Sequence, residues 1–429
     1  MKLFCAPDDN AFTENGALNV VLYGQPHASV GARSARAGAG QAAMNHILRE
    51  RLLAAPRAWD FLSIALAVVT ADLAEWRSES ADGWTRELDL TIAVADPNFW
   101  NTQAAPLEAA LKFLSTDQWR LRFVGGGFQP APPREPVLPV EDCVVLLSGG
   151  LDSLIGAIDL AAMGKKPLAV SNVVRGDGDN QVAFAQAIGG GLRHLPLNHN
   201  ASPPWRKEES QRARSLIFIA FGVLAATTLK NYHDGAKVPF YVCENGFIAI
   251  NPPLTGTRLG SLSTRTAHPE FLNRLRDILS VAGLRINLIN PYEHATKGEM
   301  LISCKNQPLL KSLAAQSVSC GRYRVFNYHQ CGRCVPCQVR RAAFRAWDAS
   351  LDTTGYVYEP LGKADADHAE FDDVRSLGMA VQEVSLAGLK AWLGSALAYP
   401  RIGDKAPILD LVKRGLDELA ALHKHYGVR

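Results

Sequence analysis

Two stretches of this chain carry residue types at spacings that can do chemistry. The first is Ser148-Gly149-Gly150-Leu151-Asp152-Ser153, which directly follows an apolar run over 143–147. Its two glycines let backbone approach an anion closely, its small hydroxyls can donate to phosphate oxygens, and a helix starting there turns its positive end toward the same charge. Asp152 fits such a cradle either by helping to hold a Mg²⁺ that bridges phosphates or by capping the helix. The Walker pattern is excluded, because no Lys follows the second glycine. The second stretch is Cys320, Cys331, Cys334 and Cys337, spaced C-x10-C-x2-C-x2-C. Four thiolates close a tetrahedron around Zn²⁺ and leave no open position, so the expected role is structural, with metal affinity feeding into folding. An iron–sulfur cluster is the rival use of C-x2-C-x2-C, but no further Cys-Pro pair accompanies it.

Positioning these residues requires particular elements. Around the loop the signals alternate: apolar 143–147, helical 152–163 closed by Gly164, apolar 167–174, helical 181–188 and 208–229, strand-like 238–243, helical 269–281, strand-like 285–289. That alternation predicts an α/β unit over 142–350 with a doubly wound parallel sheet, the loop lying at the carboxyl end of its first strand, where open α/β sheets bind ligands. Three consecutive glycines followed by closely spaced prolines mark 125–141 as a linker. Upstream, strand-like 17–24 and 87–95 and helical 61–76 and 106–114 predict an N-terminal mixed α+β domain over 1–124. Downstream, 351–429 reads as a C-terminal helical segment, with helices over 386–396 and 408–423.

The bulk properties narrow the function classes. A chain of 429 residues with 47% hydrophobic and 20% charged residues is globular and long enough for more than one domain. A net charge of +3 is too small for a protein whose main work is gripping nucleic acid, so direct nucleic-acid binding is not expected. No apolar run reaches the roughly 18 residues of a membrane span, and the N-terminus turns acidic before a signal-peptide core develops. Eight cysteines, four of them in one cluster, fit metal binding in a reducing compartment. A cytoplasmic location is the expectation.

The loop resembles the PP-loop of ATP pyrophosphatases (HUP-type folds), which split ATP into AMP and pyrophosphate. Together with Cys331-Gly332-Arg333-Cys334-Val335-Pro336-Cys337-Gln338-Val339-Arg340-Arg341, it resembles the QueC family, the 7-cyano-7-deazaguanine synthases, whose zinc knuckle has the form CGxCxxCxxR. Three further stretches fall in the same order: Arg214-Ser215-Leu216-Ile217-Phe218, Val242-Cys243-Glu244 and Thr296-Lys297-Gly298-Glu299-Met300. The likeness covers about 142–345.

That resemblance implies ATP-dependent adenylation of a 7-deazaguanine carboxylate. Ser148, Gly149, Gly150, Leu151, Asp152 and Ser153 would bind ATP and Mg²⁺. Asp152, Ser153, Arg214 and Lys297 would serve catalysis, and the four cysteines would hold zinc. Asn172, Arg175, Glu244, Asn245 and Glu299 would border the substrate. The family's base-binding segment after the second strand is replaced here by Ser171-Asn172-Val173-Val174-Arg175-Gly176. The extensions on both sides of the core, with Ala71-Asp72, Trp84-Thr85-Arg86, Asp96-Pro97-Asn98-Phe99-Trp100 and Asp117-Gln118-Trp119, look like the QatC-type, QueC-like proteins of bacterial anti-phage systems. On that likeness the activated deazaguanine passes to an amine of a partner protein encoded nearby. Synthesis of the free nitrile for tRNA modification, and a non-catalytic scaffold role in a defence complex, are the alternatives.

Overall fold

The structure, a computed structural model, describes residues 1–7, 17–24, 36–173, 176, 178–205, 208–255, 265–361, 373–399 and 403–428. Among them, ten short strands form two five-stranded sheets, every pairing parallel. The first sheet holds β1 (Lys2–Ala6), β2 (Leu18–Leu22), β3 (Arg36–Ala39), β4 (Glu87–Ala93) and β5 (Gln118–Val124) in the order β3-β2-β1-β4-β5. The second holds β6 (Cys143–Leu146), β7 (Pro167–Asn172), β8 (His194–Leu197), β9 (Val238–Tyr241) and β10 (Ile286–Ile289) in the order β10-β9-β6-β7-β8. Numbered within its own half, the second sheet repeats the strand order of the first. The N-terminal half is therefore α/β with a parallel sheet, not the mixed α+β domain that its sequence suggests. Its β3, Arg-Ala-Gly-Ala, contains no β-branched or aromatic residue, so pairing with β2 rather than local preference makes it a strand.

In each half a long helix lies in the crossover from the third strand to the fourth: Pro56–Ala74 in the first and Ser215–Thr228 in the second. The two helices pack on each other, one also lying against β1 to β4 and the other against β6, β7 and β9. Their sequences account for this layering. Residues 58–74 are all buried, and the Ser215–Thr228 helix buries every residue but Phe218. A helix without a polar face can be stable only inside a core, and each buried Leu, Val or Phe contributes about 1.5–3 kcal/mol. One apolar cluster consequently runs from Leu3, Phe61 and Phe123 through to Val144, Phe221 and Phe240. The 125–141 stretch crosses between the halves without a helix or named strand, yet it does not divide the core.

The N-terminal motifs turn out to be structural. Arg86 Nη2 lies 2.5 Å from Asp72 Oδ1 and 2.7 Å from Asp117 Oδ2, and Arg77 grips the Asp117 carboxylate with both terminal nitrogens at 2.9 Å. All four side chains are at most 4% exposed. The network continues into the second half: Ala213 N–H donates to Asp72 Oδ2 at 2.8 Å, and Arg77 donates to Glu208 Oε2 and to Ser210 O. These bonds explain why the helix expected over 208–229 begins only at Ser215, since the preceding residues are tied to the neighbouring half instead of to their own helical turn. Asp96 caps the Pro97–Thr102 helix through Phe99 N–H, and Trp100 donates to buried Asp60.

The C-terminal residues form helices Asp373–Ala387, Leu389–Leu393 and Ala406–Tyr426. The helix expected over 386–396 is interrupted at Gly388 and Gly394, both with positive φ. The Ala406–Tyr426 helix packs on the Val335–Trp347 helix, and Glu418 accepts from Thr296. Among the described residues no helix is long and apolar enough to cross a membrane.

Removing Asp117 from the buried network leaves two buried guanidinium groups to share the single remaining carboxylate of Asp72. Asp117→Ala should therefore lower the unfolding free energy by about 3–5 kcal/mol, read by denaturant titration; a loss below about 1 kcal/mol would contradict a closed, dry network.

Candidate functional site

β6 is the central strand, flanked by β7 on one side and β9 on the other, so strand order reverses between β6 and β9. Open parallel sheets offer a ligand crevice at the carboxyl ends of such a pair. The 148–153 loop leaves β6 at that point and feeds the Leu151–Ala162 helix. Gly149 has φ +81°, a left-handed conformation that glycine adopts without strain. Ser153 Oγ is the loop's internal pin: it donates to Gly150 O at 3.0 Å, accepts from Ser148 N–H at 3.1 Å and lies 3.0 Å from Ser148 Oγ. Gly150 is the N-cap and supplies no side chain of its own; its N–H donates to Ser148 Oγ at 3.3 Å, so one group at the positive end of the helix is met by a loop hydroxyl. Ser148 stands exposed at the mouth, and Leu151 is buried beneath it.

Asp152 is clasped by residues from two other segments. Lys297 Nζ is 2.9 Å from its Oδ1, and Asn245 donates to Oδ2 through Nδ2 at 2.7 Å and N–H at 3.2 Å. Asn245 is fully buried, and its Oδ1 accepts from Ile248 N–H, which starts the short Gly246–Ala249 helix. Lys297 opens the Lys297–Ser303 helix behind the Thr296 cap. Three sequence stretches nominated separately are thus joined by one carboxylate. Asp152 is not the helix cap; it lies in the first turn with both oxygens engaged.

The remaining nominated residues sit elsewhere. Glu244 is tied through its backbone to Asn290, which accepts from its N–H and donates to its carbonyl, joining the ends of β9 and β10. Asn172 ends β7; Gln181 Nε2 donates to its carbonyl and to Ser148 O, both at 3.3 Å, so Gln181, which the motifs did not flag, supports the loop from below. Arg214 stands exposed immediately before the Ser215–Thr228 helix. The Glu299 carboxylate closes a capping box with Thr296 and pairs with Arg414 of the C-terminal helix, joining two helices. Arg175 lies outside the described residues. Burial, reinforced by the neighbouring carboxylates Asp152 and Asp159, pushes the Cys243 thiol up and keeps it protonated beside the loop helix.

The four clustered cysteines are buried and free of disulfides, with all Sγ atoms within 4.8 Å of one another. Cys331 and Cys337 Sγ are 3.8 Å apart, and Cys320 and Cys334 Sγ are 3.9 Å apart. A tetrahedron with metal–sulfur distances of about 2.3 Å has edges of about 3.8 Å. The cage is one ion wide and could hold zinc. Backbone N–H groups of Arg322 and Cys331 point at Cys320 Sγ, and that of Cys334 at Cys331 Sγ, as thiolate acceptors require.

No family model, curated protein or solved structure matches this chain.

Purified protein should carry one zinc ion per chain by elemental mass spectrometry. Cys334→Ser should lose most of that metal and unfold at lower temperature than the parent; a variant that keeps both would contradict a four-thiolate centre.

Proposed function

We propose that this chain is an ATP-dependent, AMP-forming ligase of the cytoplasm, with a HUP-type PP-loop fold in its second half. Its substrate on this reading is the carboxylate of a 7-deazaguanine, and its acceptor is an amine on a partner protein encoded nearby in an anti-phage system. The observation that supports this best is the glycine-containing loop at the strand-order reversal, with Asp152 clasped by Lys297 and Asn245. The identity of the acid rests on the ordered motif resemblance, not on geometry.

Each residue then has a physical task. The loop amides and the hydroxyls of Ser148 and Ser153 would hold phosphate oxygens at the positive end of the Leu151–Ala162 helix. Mg²⁺ would enter with the triphosphate, because the ion favours phosphate oxygens and retained water over an all-protein cage. Asp152 has both oxygens occupied, so its first role is to fix Lys297 and Asn245 beside the reacting phosphorus. Lys297 would stabilise negative charge as a carboxylate oxygen attacks the α-phosphorus and pyrophosphate leaves. An amine would next attack the acyl carbon; AMP leaves, a proton is released, and an amide remains. Carboxylate oxygen is a poor leaving group, and its replacement by AMP is what ATP supplies.

The decisive assay is exchange of labelled pyrophosphate into ATP in the presence of 7-carboxy-7-deazaguanine. The reading predicts exchange that requires the acid and falls by roughly a hundredfold or more in Asp152→Asn and in Lys297→Ala, with the fold retained by circular dichroism. Exchange that ignores the acid, or that survives both substitutions, contradicts it. Conversion of the acid with free ammonia to the nitrile, in the absence of any partner, would favour the small-molecule synthase instead.

A further inference from the structure

A run of residues next to the four-cysteine cluster reaches the 148–153 loop and bonds to its backbone. Val318 N–H donates to Gly149 O at 3.0 Å. The contact is close enough that a Cβ on Gly150 would stand 3.4 Å from Val318 O and 3.2 Å from Ser148 Oγ. Residues 314–319 form this strap, and the next residue, Cys320, is a metal-ligand candidate.

Two fully or nearly buried side chains hold the strap, each adjacent to another cysteine of the cluster. Gln330, directly before Cys331, accepts from Ser319 N–H at 3.1 Å and donates to Ser317 O at 3.0 Å. Arg340, on the Val335–Trp347 helix one turn after Cys337, donates to Ser317 Oγ at 2.7 Å, Ala314 O at 3.0 Å, Ala315 O at 3.3 Å and Thr354 Oγ1 at 3.0 Å. Arg340 is 0% exposed and lies over the Phe344 ring at 4.7 Å. A guanidinium fully removed from water, with three of its four bonds on residues 314–317, is a costly arrangement unless that segment's position matters. A third anchor, Asn180 Nδ2 to Gln316 O at 3.0 Å, ties the strap to the helix after β7.

We infer that Arg340 and Gln330 are positioning residues for phosphate binding: they transmit the geometry of the four-cysteine centre through the 314–319 strap to the carbonyl of Gly149. The inference rests on the proposed nucleotide role of the loop but concerns a different link, from metal cage to loop backbone. Holding the Gly149 carbonyl on Val318 fixes the peptide planes of the loop. When the cage opens, Cys320 and Gln330 lose their fixed places, the strap slackens, and the loop loses its backing while both sheets remain folded.

The test compares Arg340→Gln and Gln330→Ala with the parent protein in metal content, unfolding temperature, affinity for ATP by calorimetry, and amide hydrogen exchange resolved to Val318. Variants that keep one zinc ion per chain and melt within a few degrees of the parent should exchange the Val318 amide faster, and Arg340→Gln should bind ATP at least about tenfold more weakly, one to two hydrogen bonds' worth. Chelation of zinc from the parent, followed by readdition, should raise and then restore Val318 exchange. Val318 protection unchanged in both variants and on chelation overturns the inference. If Arg340→Gln fails to fold, Gln330→Ala and the chelation arm decide. Failure of the parent to bind ATP would defeat the ligase reading, yet the exchange measurement would still decide the mechanical link.

Discussion

A backbone cradle for an anion must leave its N–H groups free until the ligand arrives, so it cannot hold itself together with the bonds that stabilise ordinary turns. Whatever fixes such a loop has to act from its carbonyls, its side chains and its flanks. In the 148–153 loop the Ser148 and Gly150 N–H groups are met by the loop's own hydroxyls, and the loop is held in three ways. Ser153 Oγ pins it internally, Val318 holds the Gly149 carbonyl, and Asp152 is bound to Lys297 and Asn245. Each support originates in a different part of the sequence.

Among the described residues, the N-terminal half contributes no group to these three supports. It supplies a second parallel sheet with the same strand order and a wholly buried helix, Pro56–Ala74, against which the Ser215–Thr228 helix can bury its otherwise exposed apolar face. Its buried network of Asp72, Arg77, Arg86 and Asp117 then fixes the segment leading to Arg214. The C-terminal helices play a comparable part on the other flank, where Arg414 and Glu418 engage Glu299 and Thr296 beside Lys297. Two apolar helices with no polar face make the halves inseparable, whatever the Gly/Pro content of the connection between them.

What the sequence made legible followed from strong local signals. The apolar run ending at Leu147, the two glycines and the helical pattern behind them located the loop, and cysteine spacing located the metal cage. Alternating apolar runs gave the second sheet except β8, whose four residues with a proline carry too little pattern to register. The first sheet was misjudged because β1 and β3 are short and owe their pairing to neighbours. Long-range side-chain choices left no local trace. Nothing near Lys297 announces Asp152 as its partner, and nothing in the CxxCxxR pattern says that Arg340 grips residues 314 to 317. Glu299 carries a local signal as well: Thr296-x-x-Glu299 is a capping box.

The central claim, that the 148–153 loop seats a nucleotide triphosphate for attack at its α-phosphorus, is tested most directly by a crystal structure with a non-hydrolysable ATP analogue and Mg²⁺. The account predicts phosphate oxygens within hydrogen-bonding distance of the loop amides and Ser153, with the α-phosphate facing Lys297. An analogue bound elsewhere, or a loop whose amides have turned inward and closed on themselves, would contradict it.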